Sequence, residues 1–131
     1  MKILYAASEA VPFCKTGGLA DVAGSLPAAL AAQGADVAVV LPLYQKVKEK
    51  FSDQLHFECY DYVDLAWRHS YCGLFSMERD GVTWYFLDNE HYFRRPELYG
   101  YMDDGERFGF FSRAVVRMLP HLRFWPEVIH C

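Results

Sequence analysis

Lys15, Gly17 and Gly18 are the residues with the clearest chemical potential in this sequence, within the stretch KTGGLAD (Lys15–Asp21). The lysine carries a full charge on a flexible stem. The glycines let backbone approach a ligand closely, because no Cβ intervenes. A helix starting here would add unpaired N–H groups and a partial positive charge. Together these make a seat for a phosphate or pyrophosphate. Two familiar phosphate loops do not fit. In G-x-x-x-x-G-K-[ST] the glycines precede the lysine, whereas here they follow it, and G-x-G-x-x-G is absent, which argues against a dinucleotide oxidoreductase. The residues alone leave a plainer alternative open: a tight turn beside a surface lysine. Asp21 falls in the first helical turn, where a carboxylate is favoured by the helix dipole. Glu9 directly follows the first apolar run and reads either as a ligand for sugar hydroxyls or as an exposed loop glutamate.

These residues need a scaffold, and the apolar pattern supplies one of the α/β class. Lys2–Ser8 reads as a strand buried on both faces, typical of a parallel sheet. Glu9–Gly18 is a loop, punctuated by Pro12 and the glycine pair. Leu19, Val22, Ala23, Leu26 and Leu30 repeat at helical spacing over Leu19–Gln33, and Gly34 ends that helix. Pro27 is expected to kink it, or to start a second half capped by Ser25. Asp36–Leu41 is a second buried strand, so the unit is a parallel crossover. Tyr44–Phe51 reads as a lysine-rich exposed turn or helix. Leu55–Leu65, His69–Glu78 and Val82–Leu87 form an antiparallel section, the last two joined through Arg79-Asp80-Gly81. Asp88–Asp103 is expected to be a long loop, Asp104–His121 a helix with Phe108, Phe111, Val115, Met118 and Leu119 on one side, and Glu127–Cys131 a further buried strand.

With 131 residues the chain is one domain's worth and buries roughly two-thirds of its unfolded surface. A net charge of −4 argues against a nucleic-acid or anionic-membrane partner, though not against one small anion held locally. No apolar run approaches the roughly 18 residues of a membrane span. The N-terminus has no signal-peptide pattern, so a cytoplasmic location is expected. Cys14, Cys59, Cys72 and Cys131 form no C-x-x-C pair and fit no zinc spacing, so reduced thiols are expected. Cys59 and Cys72 are the one pair that a hairpin might bring together. His56, His69, His91 and His121 match no metal or triad pattern.

The segment SEAVPFCKTGGLADVAGSLPAALAAQGADVAVVLPLY (Ser8–Tyr44) closely resembles the N-terminus of bacterial glycogen synthases and plant starch synthases. Phe93–Gly100, with its F-x-R-x-x-L-Y-G pattern, and the closing PEVIH resemble that family too, so the likeness spans nearly the whole chain. It implies a Rossmann-like N-terminal lobe of a two-lobe, GT-B type glycosyltransferase, with a parallel sheet core and an antiparallel hairpin section. Residues 1–131 would then be a single, incomplete acceptor-side domain. The C-terminal nucleotide-binding lobe, and a D-W-H signature expected just after the last strand, would lie outside it.

The implied reaction is retaining transfer of glucose from ADP-glucose to the non-reducing end of an α-1,4-glucan such as glycogen, releasing ADP, with no cofactor or metal. By the same resemblance, Lys15, Thr16, Gly17, Gly18 and Tyr99 bind ADP-glucose. Asp21 is the catalytic candidate facing glucose and acceptor, and Glu9 is an acceptor-side candidate. His130 matches the histidine that opens the signature, although a buried strand-end residue suits its position better. Cys14 adjoins the loop, where its oxidation would block the site. Two other readings stay open: a transferase of the same architecture using UDP-glucose, and a non-catalytic glucan-binding module.

Overall fold

The computed structural model describes residues 1–131 and has the order β1 (Lys2–Ala6), α1 (Gly18–Ala32), β2 (Asp36–Pro42), α2 (Gln45–Phe51), β3 (His56–Leu65), β4 (Arg68–Arg79), β5 (Val82–Asp88), α3 (Glu90–Phe93), α4 (Asp104–Met118), a 3-10 turn (Leu119–His121) and β6 (Val128–His130). One six-stranded sheet, β3-β4-β5-β2-β1-β6, carries these elements. β5, β2, β1 and β6 are parallel, while β3, β4 and β5 form an antiparallel meander. The central strands are apolar on both faces because helices cover both: β2 is buried from Val37 to Pro42. The Asp80-Gly81 turn is as the sequence demands. Both residues have positive φ (53° and 74°), the type I′ geometry whose twist matches paired strands.

Four elements differ from expectation. The buried face of α1 is Ala20, Ala23 and Pro27, whereas Leu19 and Val22 are 46% and 51% exposed. Small residues face inward because the helix lies close to the chain beneath it. Ser25 caps nothing; its hydroxyl donates to the Asp21 carbonyl at 2.8 Å, and the helix continues through Pro27. Within the expected loop Asp88–Asp103 lies the short helix α3, whose first turn is capped by Asn89 accepting from the Tyr92 amide at 3.1 Å. α2 buries Val47 and Phe51, and Lys48 pairs with Asp88 and Glu90. β6 is an edge strand with Val128, Ile129 and His130 all exposed, so it is not the buried strand expected; His130 stacks on Tyr5 at 4.7 Å. Cys59 pairs in register with Leu74 and Cys72 with Asp61, so those two do not face each other, and all four cysteines are free.

α1 packs against β2 and β5, and α4 against β3 and β5. The closest approach in α1 is at Gly24, where a Cβ would meet Val11 Cγ2 at 2.3 Å and the Val11 carbonyl oxygen at 2.6 Å. That contact presses the loop after β1 onto the helix it feeds. Gly24→Ala is therefore expected to lower stability by about 1–3 kcal/mol, as overpacking does. Gly109→Ala in α4 is expected to raise it by about 0.5–1 kcal/mol, because helix propensity favours alanine. A Cβ at Gly109 meets only Leu65 Cδ2, at 4.0 Å. Urea unfolding of the two variants checks the pair.

Candidate functional site

The loop from Ala7 to Gly17 starts at the carboxyl end of β1 and ends at the first turn of α1. Open parallel sheets bind ligands at such strand ends. An Ala10–Cys14 bridge closes the loop on itself, with the Cys14 amide donating to the Ala10 carbonyl at 2.9 Å. Phe13 anchors it in the core, its ring 4.9 Å from Phe51, 4.8 Å from Trp84 and 5.1 Å from Phe86.

Glu9 gives the loop its shape. It is only 3% exposed, and a buried carboxylate must find donors. It accepts from the Thr16 amide at 2.6 Å, the Thr16 hydroxyl at 2.7 Å, the Gly17 amide at 3.1 Å and the Tyr99 hydroxyl at 2.8 Å. Burial pushes its carboxyl up, but these bonds from Thr16, Tyr99 and Gly17 outweigh it and hold the group below the ordinary carboxylate range. Glu9 is thus a clamp inside the protein, not an exposed loop residue.

The Thr16 amide and hydroxyl and the Gly17 amide point down to Glu9, and the outer surface of the loop is Lys15, Thr16 and the helix start. Lys15 Nζ lies 2.9 Å from both carboxylate oxygens of Asp21, and both side chains are more than half exposed. Gly17 is the extended N-cap of α1, which no side chain caps. The amides of Gly18 and Leu19 have no acceptor on the protein. A Cβ at Gly17 or Gly18 would touch nothing within 4 Å, so the space over both is open. The structure therefore places Lys15, Thr16, Gly17, Gly18 and Asp21 together on one surface, with Glu9 directly beneath.

Tyr99 also belongs to the lower layer. Its hydroxyl is 2.7 Å from Ser8 Oγ as well as bonded to Glu9, and its ring packs on Phe108. Three supporting residues escaped the sequence reading. Tyr44, fully buried, donates to the Ser8 carbonyl at 2.7 Å. The carbonyl of Leu98, next to Tyr99, accepts from Arg107 Nη1 at 2.9 Å. Arg107 is itself 0% exposed, and it also donates to the Tyr92 carbonyl at 2.7 Å and to Asp104 at 2.8 Å. A signal for Arg107 was present: it lies at helical spacing with Phe111, Ala114 and Met118 on the buried face of α4. Ser8 and Tyr44 are the two ends of the family-like segment. Cys14 is buried, and burial pushes its thiol up to about 11, so it stays protonated and unreactive at neutral pH. His91, Asp103 and Glu106 cluster, but Asp103 is bonded to Arg95 and Glu106 to Arg68 and Tyr92.

Comparison with known proteins shows the family to which the chain belongs. Residues 2–131 match the family described as the starch synthase catalytic domain. The chain is 50% identical over its whole length to a glycogen synthase of Lactobacillus acidophilus, and 54% identical to one of Clostridium kluyveri. It spans 28% of the length of each. Among solved structures, the catalytic domain of starch synthase IV from Arabidopsis thaliana, bound to ADP and acarbose, superposes with a TM-score of 0.84 at 28% identity, over 98% of this chain and 27% of that one.

The Glu9 clamp carries a pH signature. A carboxyl held below its ordinary value of 4.5 contributes stability that is complete above that pH and is lost as pH falls through the lowered value. Urea midpoints measured from neutral pH downward are expected to fall more steeply below 4.5 for the wild type than for Glu9→Gln. Equal slopes would remove Glu9 from the acid response.

Proposed function

Because the chain belongs to the starch synthase catalytic domain family, we propose that it works in the cytoplasm as the acceptor-side N-terminal lobe of a glycogen synthase. The reaction is transfer of glucose from ADP-glucose to the non-reducing end of an α-1,4-glucan, with retention and release of ADP. The observation that carries this reading is the Glu9-clamped loop, which leaves Lys15 and two unpartnered helix amides on one open surface at the end of β1. The ADP and acarbose held by the related starch synthase IV domain support the choice of donor and polymer. The chain spans little more than a quarter of its relatives, and an apolar groove of about 570 Å³ beside β6 is lined by Ala6, Phe111, Val115 and Ile129. Both features support a lobe completed by further sequence, with the nucleotide held between two lobes.

In this mechanism the bond from the glucosyl carbon to the ADP oxygen breaks, and negative charge grows on the departing phosphate. The amides of Gly18 and Leu19 are fixed donors for that charge, which is how a pre-organised site accelerates such a step, and Lys15 joins them once it leaves Asp21. Gly17 contributes through its missing side chain, because its amide is already given to Glu9. When Lys15 turns to the phosphate, its partner Asp21 is released to face the glucose and the incoming chain end. Glu9 and Tyr99 act from below, and Thr16 ties the loop to Glu9 through its amide and hydroxyl. Glu9's contribution to the acceptor side is indirect, since its carboxylate already holds Thr16, Gly17 and Tyr99.

Lys15→Ala in the full-length protein is expected to lower kcat by about 10²-fold, the usual cost of losing one such donor. Transfer of labelled glucose from ADP-glucose to glycogen measures it, with the 131-residue chain assayed alongside. The chain alone is expected to be inactive; robust elongation by it would refute the two-lobe reading.

A further inference from the structure

The segment before α4 presents Tyr99, and the first turn of α4 holds the chain on both sides of it. Arg107 Nη1 donates to the carbonyl of Leu98, the residue before Tyr99, at 2.9 Å. Asp104 accepts from the amides of the two residues after it, Gly100 at 2.8 Å and Tyr101 at 3.2 Å. The two side chains lie three residues apart on the helix and pair with each other at 2.8 Å. Gly100 has a φ of 98°, in the left-handed region, so the chain turns sharply straight after Tyr99. The Tyr99 ring packs on Phe108, the residue after Arg107, with centroids 5.6 Å apart. The bonds to backbone fix where the Tyr99 side chain starts, and the ring contact fixes where its hydroxyl ends.

Arg107 is fully buried and its Nη2 has no partner, so its charge left water without a complete set of acceptors. Buried ion pairs of that kind are weak sources of stability. What this one supplies is placement. The Tyr99 hydroxyl donates to Glu9 at 2.8 Å, and the same carboxylate holds the Thr16 and Gly17 amides. We propose that Asp104 and Arg107 are positioning residues for donor binding. They act through Tyr99 and Glu9, rather than by touching the substrate, and keep the Gly18 and Leu19 amides turned toward the diphosphate. This role rests on the function proposed above. The diphosphate is charged before the glucosyl bond breaks, so the order of the loop matters from the moment of binding. A loop that is formed only part of the time weakens apparent affinity in proportion to the fraction formed, while the bound complex reacts at its usual rate.

The test is steady-state kinetics of the full-length protein, with ADP-glucose and glycogen varied in turn and urea unfolding alongside. Asp104→Ala is expected to raise the ADP-glucose KM about ten-fold, with kcat and the glycogen KM within about two-fold of wild type. Asp104→Asn keeps one acceptor oxygen and is expected to fall between the two; it carries the test if Asp104→Ala does not fold. Arg107→Lys, which keeps the charge without the forked reach, is expected to raise the same KM. Tyr99→Phe, which keeps the ring without the hydroxyl, is expected to do so too. The double variant Asp104→Ala/Tyr99→Phe is expected to be no worse than the more affected single variant, because both break one chain of contacts. A fall in kcat with the ADP-glucose KM unchanged in the Asp104 variants would make the pair merely structural and overturn the proposal. Effects that multiply in the double variant, or an unchanged KM in Tyr99→Phe, overturn it as well. An unchanged KM in Arg107→Lys overturns the role of Arg107. Wild type that transfers no glucose from ADP-glucose overturns the proposed function, and this proposal with it.

Discussion

A carboxylate inside a protein has to be met by donors, and Glu9 finds three of its four in the loop that feeds α1. Two of its four bonds come from backbone amides of Thr16 and Gly17. Those amides cannot turn outward while Glu9 is ionised, so the loop has one shape. The constraint extends further down. Tyr99 reaches Glu9 because the chain around it is strapped to Arg107, a buried guanidinium holding carbonyls at both ends of the Tyr92–Leu98 segment. Arg107 Nη2 has no partner, yet the rings of Phe93, Tyr101 and Phe108 lie 4.9–5.5 Å from its guanidinium carbon and stabilise the charge. Two buried ions of opposite sign thus frame the site from below, linked through Tyr99 rather than touching.

Much of this was legible in the sequence. The parallel strands, the Asp-Gly hairpin and the loop feeding α1 follow from period and turn chemistry, which are local. The misread features depend on partners distant in sequence. The inward face of α1 was assigned mostly to large residues, because hydrophobic periodicity weighs size; the structure places Ala20, Ala23 and Pro27 there, and at Gly24 the loop after β1 comes too close for a larger residue. Glu9 looked exposed because nothing within a few residues announces the four donors waiting for it. β6 has the composition of a central strand, and within residues 1–131 it is the outer strand of the sheet.

The sheet is covered unevenly, and that gives it two different surfaces. At the end of β1 the loop feeding α1 leaves backbone donors and a lysine. Toward β3 the covering on one face stops, and the strands display tyrosines instead. Charge follows the same division. Near the loop it is exposed, on Lys15 and Asp21, whereas toward the other end of the sheet Lys48 lies between Asp88 and Glu90.

The Lys15–Asp21 pair has a consequence of its own. Exposed ion pairs are worth little, commonly about 0–1 kcal/mol, so this one opens readily. It nevertheless gives the resting lysine a tethered counter-ion. A stray monovalent anion must displace a carboxylate of equal charge that never diffuses away, and gains almost nothing by doing so. In the proposed function a pyrophosphate, with more charge and more oxygens, displaces it by also engaging the helix amides. On that reading the pair is a threshold, which makes the loop indifferent to ordinary salts and responsive to a denser anion.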